Sequence, residues 1–313
     1  MGSSVIYTLT CNPAIDRSIL VDSINKVDVT RVKKTIRDAA GKGINTSKVL
    51  KKLGVNSLNL GFIAGSNGVF IEETLDQLHI KHAFIKCIGE TRENIKVISK
   101  SDNTLEFNES GPTVSDKQLD DLYKYIKSLQ KSDVLIMGGS VPNGVPKNIY
   151  MEIMNQLNTK GVTTICDTSG DLFKESIKGK PSIIKPNVFE LEQYFNKKYS
   201  TEQDIINDCR LLNKEGISLI FVSMGEDGAL LITKDEVFKA HIPVVDVKST
   251  VGAGDSFVAG IAYGLCNNQK HEELLLTACS VGTASVLTES TAEVNIEDVK
   301  EIMKQIKIEK LEV

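Results

Sequence analysis

Residues 250–256 read Thr-Val-Gly-Ala-Gly-Asp-Ser and stand between a strand-like run at residues 242–247 and an apolar segment at residues 257–265. This order predicts a strand, a glycine-rich turn and a helix. The first turn of a helix carries backbone N–H groups without intrahelical partners, so it can bind a phosphoryl group. Two glycines would let that group approach the backbone closely. We therefore predict an anion-binding turn in which Asp255 accepts the proton of an attacking hydroxyl, or alternatively only caps the helix.

Outward from this turn, short β-rich runs alternate with helical stretches. Strand-like runs lie at residues 5–10, 134–137, 163–166, 182–184 and 219–223, and helical periodicity lies at residues 115–129, 147–157 and 201–215. This alternation predicts a largely parallel sheet covered by helices, with ligands at the carboxyl ends of the strands. We expect the polar residues that follow the strands to converge at one edge: Asn12, Asp16, Gly138-Gly139-Ser140, Asp167, Lys185 and Ser223-Met224-Gly225.

Two stretches depart from this alternation and contain shorter strands. Runs at residues 18–21, 94–98 and 104–107 predict a small sheet that stands apart from the main one. We interpret it as a lid, with segments near residues 17–38 and 82–110 of a single domain spanning residues 1–313. Closure of such a lid could exclude water from a site below it. An ordinary edge hairpin is the alternative.

Composition narrows the classes of partner. The 313 residues are 41% hydrophobic and 25% charged, which is enough for a large core. A net charge of −4 without blocks of like charge argues against nucleic acid and membrane surfaces as partners and favours a small molecule. The six scattered cysteines form no C-x-x-C pair, which indicates buried thiols in a reducing compartment. Because no signal peptide or long apolar run is present, we expect a cytoplasmic protein.

A second glycine turn, residues 38–45, reads Asp-Ala-Ala-Gly-Lys-Gly-Ile-Asn and opens a probable helix that ends at Gly54. Lys42 could supply a positive charge to an anion, and Asn45 could hydrogen-bond a hydroxyl. The alternative is a glycine-rich helix entry with a solvated lysine. Neither glycine turn matches the P-loop pattern or the dinucleotide fingerprint.

Other charged residues lie where a phosphate or triphosphate could bind. Arg31 and Arg92, both in the lid-like stretches, could reach a bound phosphate. Glu190 follows Lys185-Pro186-Asn187 in the first turn of a predicted helix, near where a Mg²⁺-bound triphosphate should lie. It could equally serve only to complement the helix dipole. Residues 223–228 form a tight turn that suits a hairpin or one wall of a nucleotide site.

Taken in order, these motifs resemble the PfkB, or ribokinase-like, carbohydrate kinases over essentially the whole chain. Within that family the chain is similar to the bacterial 1-phosphofructokinase and tagatose-6-phosphate kinase branch. The resemblance lies in the Asn-Pro-Ala-Ile-Asp motif at residues 12–16, the turn at residues 41–45 and the signature at residues 250–256. It implies a three-layer α/β/α core with a mostly parallel central sheet and a small β-sheet lid. It also implies ATP and Mg²⁺ as requirements and, often, a homodimer formed through the lid.

Together with the motifs, the resemblance implies a set of site residues. The catalytic group would contain Asp255 as the base and the turn of Gly252, Ala253 and Gly254. Contacts to the acceptor sugar phosphate would come from Asp16, Gly41, Lys42, Asn45, Arg92, Ser140 and Arg31. The nucleotide would contact Lys185, Asn187, Ser223, Gly225, Gly228 and Thr250. Glu190 would join the shell of the Mg²⁺ ion through water.

Two residues depart from the family pattern. Ala40 stands where the family commonly has another glycine, and its methyl group is tolerable only if the backbone there avoids positive φ. Cys11 replaces an apolar residue before Asn12.

The expected activity is ATP-dependent phosphoryl transfer to fructose-1-phosphate, which gives fructose-1,6-bisphosphate. Tagatose-6-phosphate is the alternative acceptor, and a free sugar comes third. A non-catalytic sugar-phosphate sensor on the same fold is the alternative from another class. A dinucleotide-dependent oxidoreductase is disfavoured because the fingerprint fails. We expect Asp255 to have an ordinary pKa near ~3.9 and to be a weak base at neutral pH.

Overall fold

The computed structural model describes residues 4–25, 27–101 and 103–312. Within them the strands are β1 (Ile6–Thr10), β2 (Ala14–Val21), β3 (Lys34–Ala40), β4 (Ser57–Ala64), β5 (Lys81–Cys87), β6 (Arg92–Ser99), β7 (Leu105–Asn108), β8 (Val134–Gly138), β9 (Thr163–Asp167), β10 (Ile183–Ile184), β11 (Leu219–Ser223), β12 (Ala229–Ile232), β13 (Val237–His241) and β14 (Lys307–Leu311). The helices are α1 (Lys42–Lys52), α2 (Gly65–Gln77), α3 (Asp116–Ile126), α4 (Ile149–Asn158), α5 (Gly170–Lys178), α6 (Val188–Phe195), α7 (Glu202–Glu215), α8 (Ala253–Cys266), α9 (His271–Ser285) and α10 (Ile296–Gln305). None of these described helices is long and apolar enough to cross a membrane.

Ten of the described strands form one sheet in the order β14-β13-β12-β11-β10-β9-β8-β1-β4-β5. From β11 to β5 every neighbouring pair is parallel. Strands β12, β13 and β14 extend the sheet antiparallel at one edge. The largely parallel sheet predicted from the alternation of strands and helices is therefore confirmed.

Helices cover both faces of this sheet. Successive side chains of each strand point to opposite faces, so a single strand contributes to two cores. In β8, Val134 and Ile136 pack into a core that includes α8 and α9. Leu135 and Met137 of the same strand pack into a second core that includes α4. Helices α5, α6 and α7 continue the second layer along β9 to β12. The arrangement confirms the predicted three-layer α/β/α core.

The other four strands form the small sheet, in the order β3-β2-β6-β7. Strand β2 pairs parallel with β6 and antiparallel with β3, and β7 pairs antiparallel with β6. A separate small sheet was predicted and is confirmed. However, β5 pairs with β4 in the large sheet, so residues 82–87 do not belong to the lid and the predicted segment 82–110 begins too early. Local β-rich character cannot tell which sheet a strand joins, because the pairing partner is distant in sequence.

Two local predictions around the glycine signature were wrong. Residues 242–247, all within the described chain, form no strand. Pro243 has no N–H for a ladder, and Val244 is fully exposed, so this run pairs with no described strand, although Ile242 and Val245 pack against the core. Helix α8 begins at Ala253 rather than near residue 257. Gly252, at φ 84°, occupies the left-handed conformation that precedes the helix.

Candidate active site

The carboxyl ends of three neighbouring strands meet at the centre of the large sheet. Thr10 of β1, Gly138 of β8 and Asp167 of β9 occupy matching positions in the register. The next strand, β10, is followed directly by Lys185. The predicted convergence of polar strand ends is confirmed for Gly138, Asp167 and Lys185, and Thr10 joins them.

Helix α1 begins in close contact with the end of β1. Gly41 precedes the helix at φ 127°, and a Cβ there would lie 2.6 Å from Cγ2 of Thr10. The amide of Gly43 donates to Oγ1 of Thr10 (3.0 Å), and a Cβ on Gly43 would lie 2.6 Å from that oxygen. Both glycines therefore permit the approach of helix to strand. Ala40 ends β3 in extended conformation, paired with Ala14, which its methyl group can adopt.

A cluster of charged side chains, all buried except the partly exposed Lys42, lies between the strand ends and the starts of α1 and α8. Nζ of Lys42 is 2.7 Å from Oδ2 of Asp167, and Nζ of Lys185 is 3.4 Å from Oδ1 of the same carboxylate. Nζ of Lys42 is also 3.7 Å from Oδ1 of Asp255. Two ammonium groups thus face two carboxylates, which offsets the cost of burying them. Burial raises the pKa of Asp167, but Lys185 and Lys42 outweigh burial and bring that pKa below its ordinary value.

Asp255 is the third residue of α8 and is held by α1. Nδ2 of Asn45 donates to Oδ2 of Asp255 (2.8 Å), and Oγ1 of Thr46 donates to its backbone oxygen (3.3 Å). Burial raises the pKa of Asp255 above that of an ordinary aspartate, while Lys42 acts in the opposite direction. The pKa of Asp255 therefore lies above the ordinary value expected from the sequence. The site makes Asp255 a stronger base than a solvated aspartate.

The first turn of α8 lies beside an ammonium group. A Cβ on Gly254 would lie 3.5 Å from Nζ of Lys185. Ala253 donates its amide to the carbonyl of Thr250 (3.3 Å), so one of the amides predicted for the phosphoryl group already has an internal partner. The amides of Gly254 and Asp255 lie at helix positions with no intrahelical acceptor. The helix start and the lysine together favour an anion.

A cavity of ≈ 350 Å³ opens onto this cluster. Seven residues predicted for catalysis or acceptor binding line it: Asp16, Gly41, Lys42, Asn45, Arg92, Ser140 and Asp255. Thr10, Asn12 and Asn94 also line it. The strand ends, α1, α8 and the small sheet thus all supply walls to one cavity.

The small sheet contributes a cation and a carboxylate to this cavity. Nε of Arg92 donates to the backbone oxygen of Asn12 (3.2 Å). Burial lowers the pKa of Arg92, and Asp16 opposes that shift. Burial raises the pKa of Asp16, against the hydrogen bond that Nδ2 of Asn94 donates to its Oδ1 (2.8 Å). A phosphate and a hydroxyl could therefore bind next to each other on this wall.

Arg31, in contrast, does not reach the cavity. It is exposed in the loop between β2 and β3 and is not among the residues that line the cavity. Arg92 is the first residue of β6 and lies over the strand ends, whereas the loop of Arg31 lies beyond the far end of β2. The structure therefore does not bring Arg31 to its predicted position.

Part of the predicted nucleotide set lines a second cavity, of ≈ 500 Å³: Asn187, Ser223 and Gly225. Asn187 and Ser223 form an isolated parallel bridge. Gly228 lies outside it at φ 90°, where a Cβ would lie 2.0 Å from the carbonyl oxygen of Ala240. Gly228 is thus required by the packing of the hairpin. Thr250 is exposed on the loop before α8.

Glu190 caps helix α6. Its Oε2 accepts from the amide of Asn187 (2.9 Å), and Oδ1 of Asn187 accepts from the amide of Glu190 (2.8 Å). Burial raises the pKa of Glu190, and Lys185 and Lys42 are among the groups that oppose that shift. In the described part of the chain, no three His, Cys, Asp or Glu side chains are grouped to hold a metal ion. Because Mg²⁺ keeps several waters and uses few protein carboxylates, Glu190 fits a contact through water.

Three residues of the site had no predicted role: Asp167, Asn12 and Asn94. Asp167 pairs with both Lys42 and Lys185, and Nδ2 of Asn12 donates to Oγ of Ser140 (3.4 Å). Asp167 and Asn12 were expected at this edge, because each lies at or just after the end of a buried strand, but neither was assigned a contact. Asn94 could have been found from its spacing, because it lies two residues after Arg92 and so shares its face of the strand.

Comparison with known proteins agrees with this geometry. A profile of the pfkB family carbohydrate kinases matches residues 3–298. The chain belongs to this family. A 1-phosphofructokinase of Borreliella burgdorferi is 37% identical to this pfkB family member over 306 residues, which are 97% of this chain and 98% of that protein.

Two further relatives have a similar sequence identity to this chain. A tagatose-6-phosphate kinase of Staphylococcus epidermidis is 36% identical to this pfkB protein over 316 residues, 97% of this chain and 99% of that one. A solved structure from Staphylococcus aureus, provisionally described as a phosphofructokinase, has a TM-score of 0.88 and 35% identity, and the alignment covers 98% of this chain and 99% of that one.

Proposed function

We propose that this pfkB family kinase transfers the terminal phosphoryl group of ATP to a hydroxyl of fructose-1-phosphate, which gives fructose-1,6-bisphosphate. One observation carries the proposal. The cavity that contains the buried carboxylate of Asp255 also contains the guanidinium of Arg92. A base for a hydroxyl and a cation for a phosphate are what a phosphorylated sugar acceptor requires.

Asp255 accepts the proton of the attacking hydroxyl as its bond to phosphorus forms. Because burial raises the pKa of Asp255, its carboxylate is a better proton acceptor than that of a solvated aspartate. The hydrogen bond from Asn45 holds the carboxylate in place. The amides of Gly254 and Asp255 and the ammonium of Lys185 stabilise negative charge on the transferred phosphoryl group. Glu190 would hold Mg²⁺ through water, and the ion, when bound, would neutralise charge on the phosphates.

The remaining residues divide between the two substrates. Arg92, Asp16 and Ser140 bind the acceptor, with Gly41, Lys42 and Asn45 at the start of α1. On the ATP side we assign contacts to Lys185, Asn187, Ser223, Gly225, Gly228 and Thr250. Arg31 would contact the acceptor only in an arrangement of the lid that brings its side chain to the cavity of Asp255 and Arg92.

Tagatose-6-phosphate is the second candidate acceptor. A relative with that name is 36% identical to this chain, nearly the same as the 37% of the 1-phosphofructokinase relative. Tagatose-6-phosphate is also a ketohexose phosphate, so Asp255 and Arg92 could bind its hydroxyl and its phosphate in the same way.

A coupled assay of ADP release tests the activity. Fructose-1-phosphate, tagatose-6-phosphate, fructose-6-phosphate and free hexoses are compared with Mg²⁺ present and absent. We expect Mg²⁺-dependent release with a phosphorylated ketohexose, and the highest kcat/KM with fructose-1-phosphate. Release that is faster with free hexoses would refute the assignment of the phosphate contact. Tight binding of sugar phosphates without any ADP release would favour the sensor.

We also infer a homodimer through the small sheet, in the cytoplasm. Phe107, Ile36 and Leu105 on the small sheet are 55%, 45% and 41% exposed, so this sheet presents apolar surface to solvent. All six cysteines are free, which suits a reducing compartment. Sedimentation should give a dimer for the wild type and a monomer for Phe107→Lys, whereas a monomeric wild type would refute the dimer.

A further inference from the structure

Two asparagine–aspartate pairs lie in the walls of the ≈ 350 Å³ cavity to which the acceptor sugar is assigned, here called the acceptor cavity. Nδ2 of Asn45 donates to Oδ2 of Asp255, and Nδ2 of Asn94 donates to Oδ1 of Asp16, each at 2.8 Å. An ionised carboxylate only accepts hydrogen bonds, so in both pairs the amide nitrogen must face the aspartate. This fixes the orientation of each amide. The carbonyl oxygen of each asparagine is then available to another donor.

Neither carbonyl oxygen has a donor among the described residues. Oδ1 of Asn45 and Oδ1 of Asn94 are both buried, and both lack a hydrogen-bond partner there. A buried acceptor without a donor destabilises the protein, so natural structures rarely leave one unsatisfied. Both residues line the acceptor cavity. The missing donors are therefore those of a ligand with hydroxyl groups.

The lid strands place Asn94 next to the predicted contacts for phosphate and hydroxyl. Asp16 of β2 and Asn94 of β6 are directly opposite in the parallel register. Arg92 lies two residues earlier on β6, on the same face and about 6.6 Å away along the strand. That separation is within the length of one hexose phosphate. Arg92, Asp16 and Asn94 thus form one continuous wall.

We propose that Asn94 is a specificity-determining residue for the acceptor sugar. Its carbonyl oxygen accepts a hydrogen bond from the hydroxyl adjacent to the one bound by Asp16, and its amide orients the Asp16 carboxylate. The pair therefore reads two neighbouring hydroxyls of a ketohexose phosphate as donors. Inverting or removing one of these hydroxyls leaves a buried acceptor unpaired, which a polar site rejects strongly. This inference rests on the proposed kinase function.

The test combines Asn94→Ala with altered acceptors in the ADP-release assay. The acceptors are fructose-1-phosphate, tagatose-6-phosphate and the 3-deoxy and 4-deoxy analogues of fructose-1-phosphate. With the better phosphorylated ketohexose, we expect Asn94→Ala to lower kcat/KM by about 5- to 100-fold, chiefly through KM. With one of the two deoxy analogues the same substitution should cost several-fold less, because the hydroxyl that Asn94 binds is already absent and only the hydrogen bond to Asp16 is lost. The variant should also discriminate less between the fructose and tagatose compounds.

Two further variants separate recognition from folding. Asn108→Ala removes the exposed asparagine opposite Asn94 on β7, outside the cavity, and should leave every kcat/KM ratio unchanged. Asn94→Val keeps strand propensity while it removes both polar atoms, and it should reproduce the pattern of Asn94→Ala.

The possible outcomes are distinct. Losses of equal size on all four acceptors would show that Asn94 only supports the lid, and no loss on any would show that it does not touch the substrate. Either result overturns the inference while the kinase function stands. A wild type inactive on both natural ketohexose phosphates would refute the proposed function itself, and the assignment of Asn94 with it.

Discussion

The acceptor cavity and the nucleotide side of this protein are built in different ways. In the acceptor cavity, side chains from both sheets and two helix starts are buried and paired, as in the cluster of Lys42, Asp167 and Asp255. On the proposed nucleotide side, most of the predicted contacts lie on turns and helix caps, and Thr250 is exposed, although Lys185 is buried beside Asp167. The first region is held by ion pairs and hydrogen bonds within the protein, whereas the second presents an open surface. We therefore expect changes in the acceptor cavity to act directly on chemistry and selectivity.

The largest effect should come from the base in the acceptor cavity. Asp255→Asn retains an oxygen that can accept from Asn45 but cannot take a proton, so kcat should fall by about 10²–10⁴-fold. The Kd for the sugar phosphate, measured by calorimetry, should change little. Ser223→Ala on the nucleotide side is the matched comparison and should alter the KM for ATP while kcat stays within a few-fold. A near-normal kcat for Asp255→Asn would remove this residue from the mechanism.

A smaller effect should separate the two predicted arginines. Arg92→Ala removes a charge-assisted contact to the acceptor phosphate, so the KM for the phosphorylated sugar should rise by about 10- to 100-fold. The KM for a free sugar should change far less. Arg31→Ala alters an exposed loop residue and should leave both KM values within about twofold. Equal effects of Arg92→Ala on both sugars would mean that the acceptor phosphate binds elsewhere.

The same contrast explains how much of the molecule could be predicted from its sequence. Short hydrophobic runs identify the strands of the parallel sheet, because those strands are buried on both faces, and helical periodicity identifies the helices between them. The motifs around Lys42 and Asp255 can be recognised from their glycines, which allow the backbone to approach neighbouring elements closely. These features depend on residues that are neighbours in sequence.

What could not be predicted depends on distant partners. Nothing local tells that β5 joins β4 in the large sheet, or that Asn94 faces Asp16 across the pairing of β2 with β6. The raised pKa of Asp255 likewise comes from burial among groups on other elements. For residues 242–247 the β-branched side chains indicated a strand, but Pro243 cannot donate to a ladder and Val244 is fully exposed.

The subtlest test uses the pH dependence of the rate. Activity needs the ionised form of Asp255, so kcat/KM should fall as the pH drops through a pKa that burial has raised above the ordinary value. Lys42 lowers this pKa and Asp167 raises it. Lys42→Met should therefore move the acid limb of the profile to higher pH, and Asp167→Asn should move it to lower pH, whatever each does to the maximal rate. Glu190→Gln, on the nucleotide side, should reduce the rate but leave the limb in place, because Glu190 is not among the groups that set this pKa. A limb that moves in the same direction for Lys42→Met and Asp167→Asn would show that a group other than Asp255 governs it.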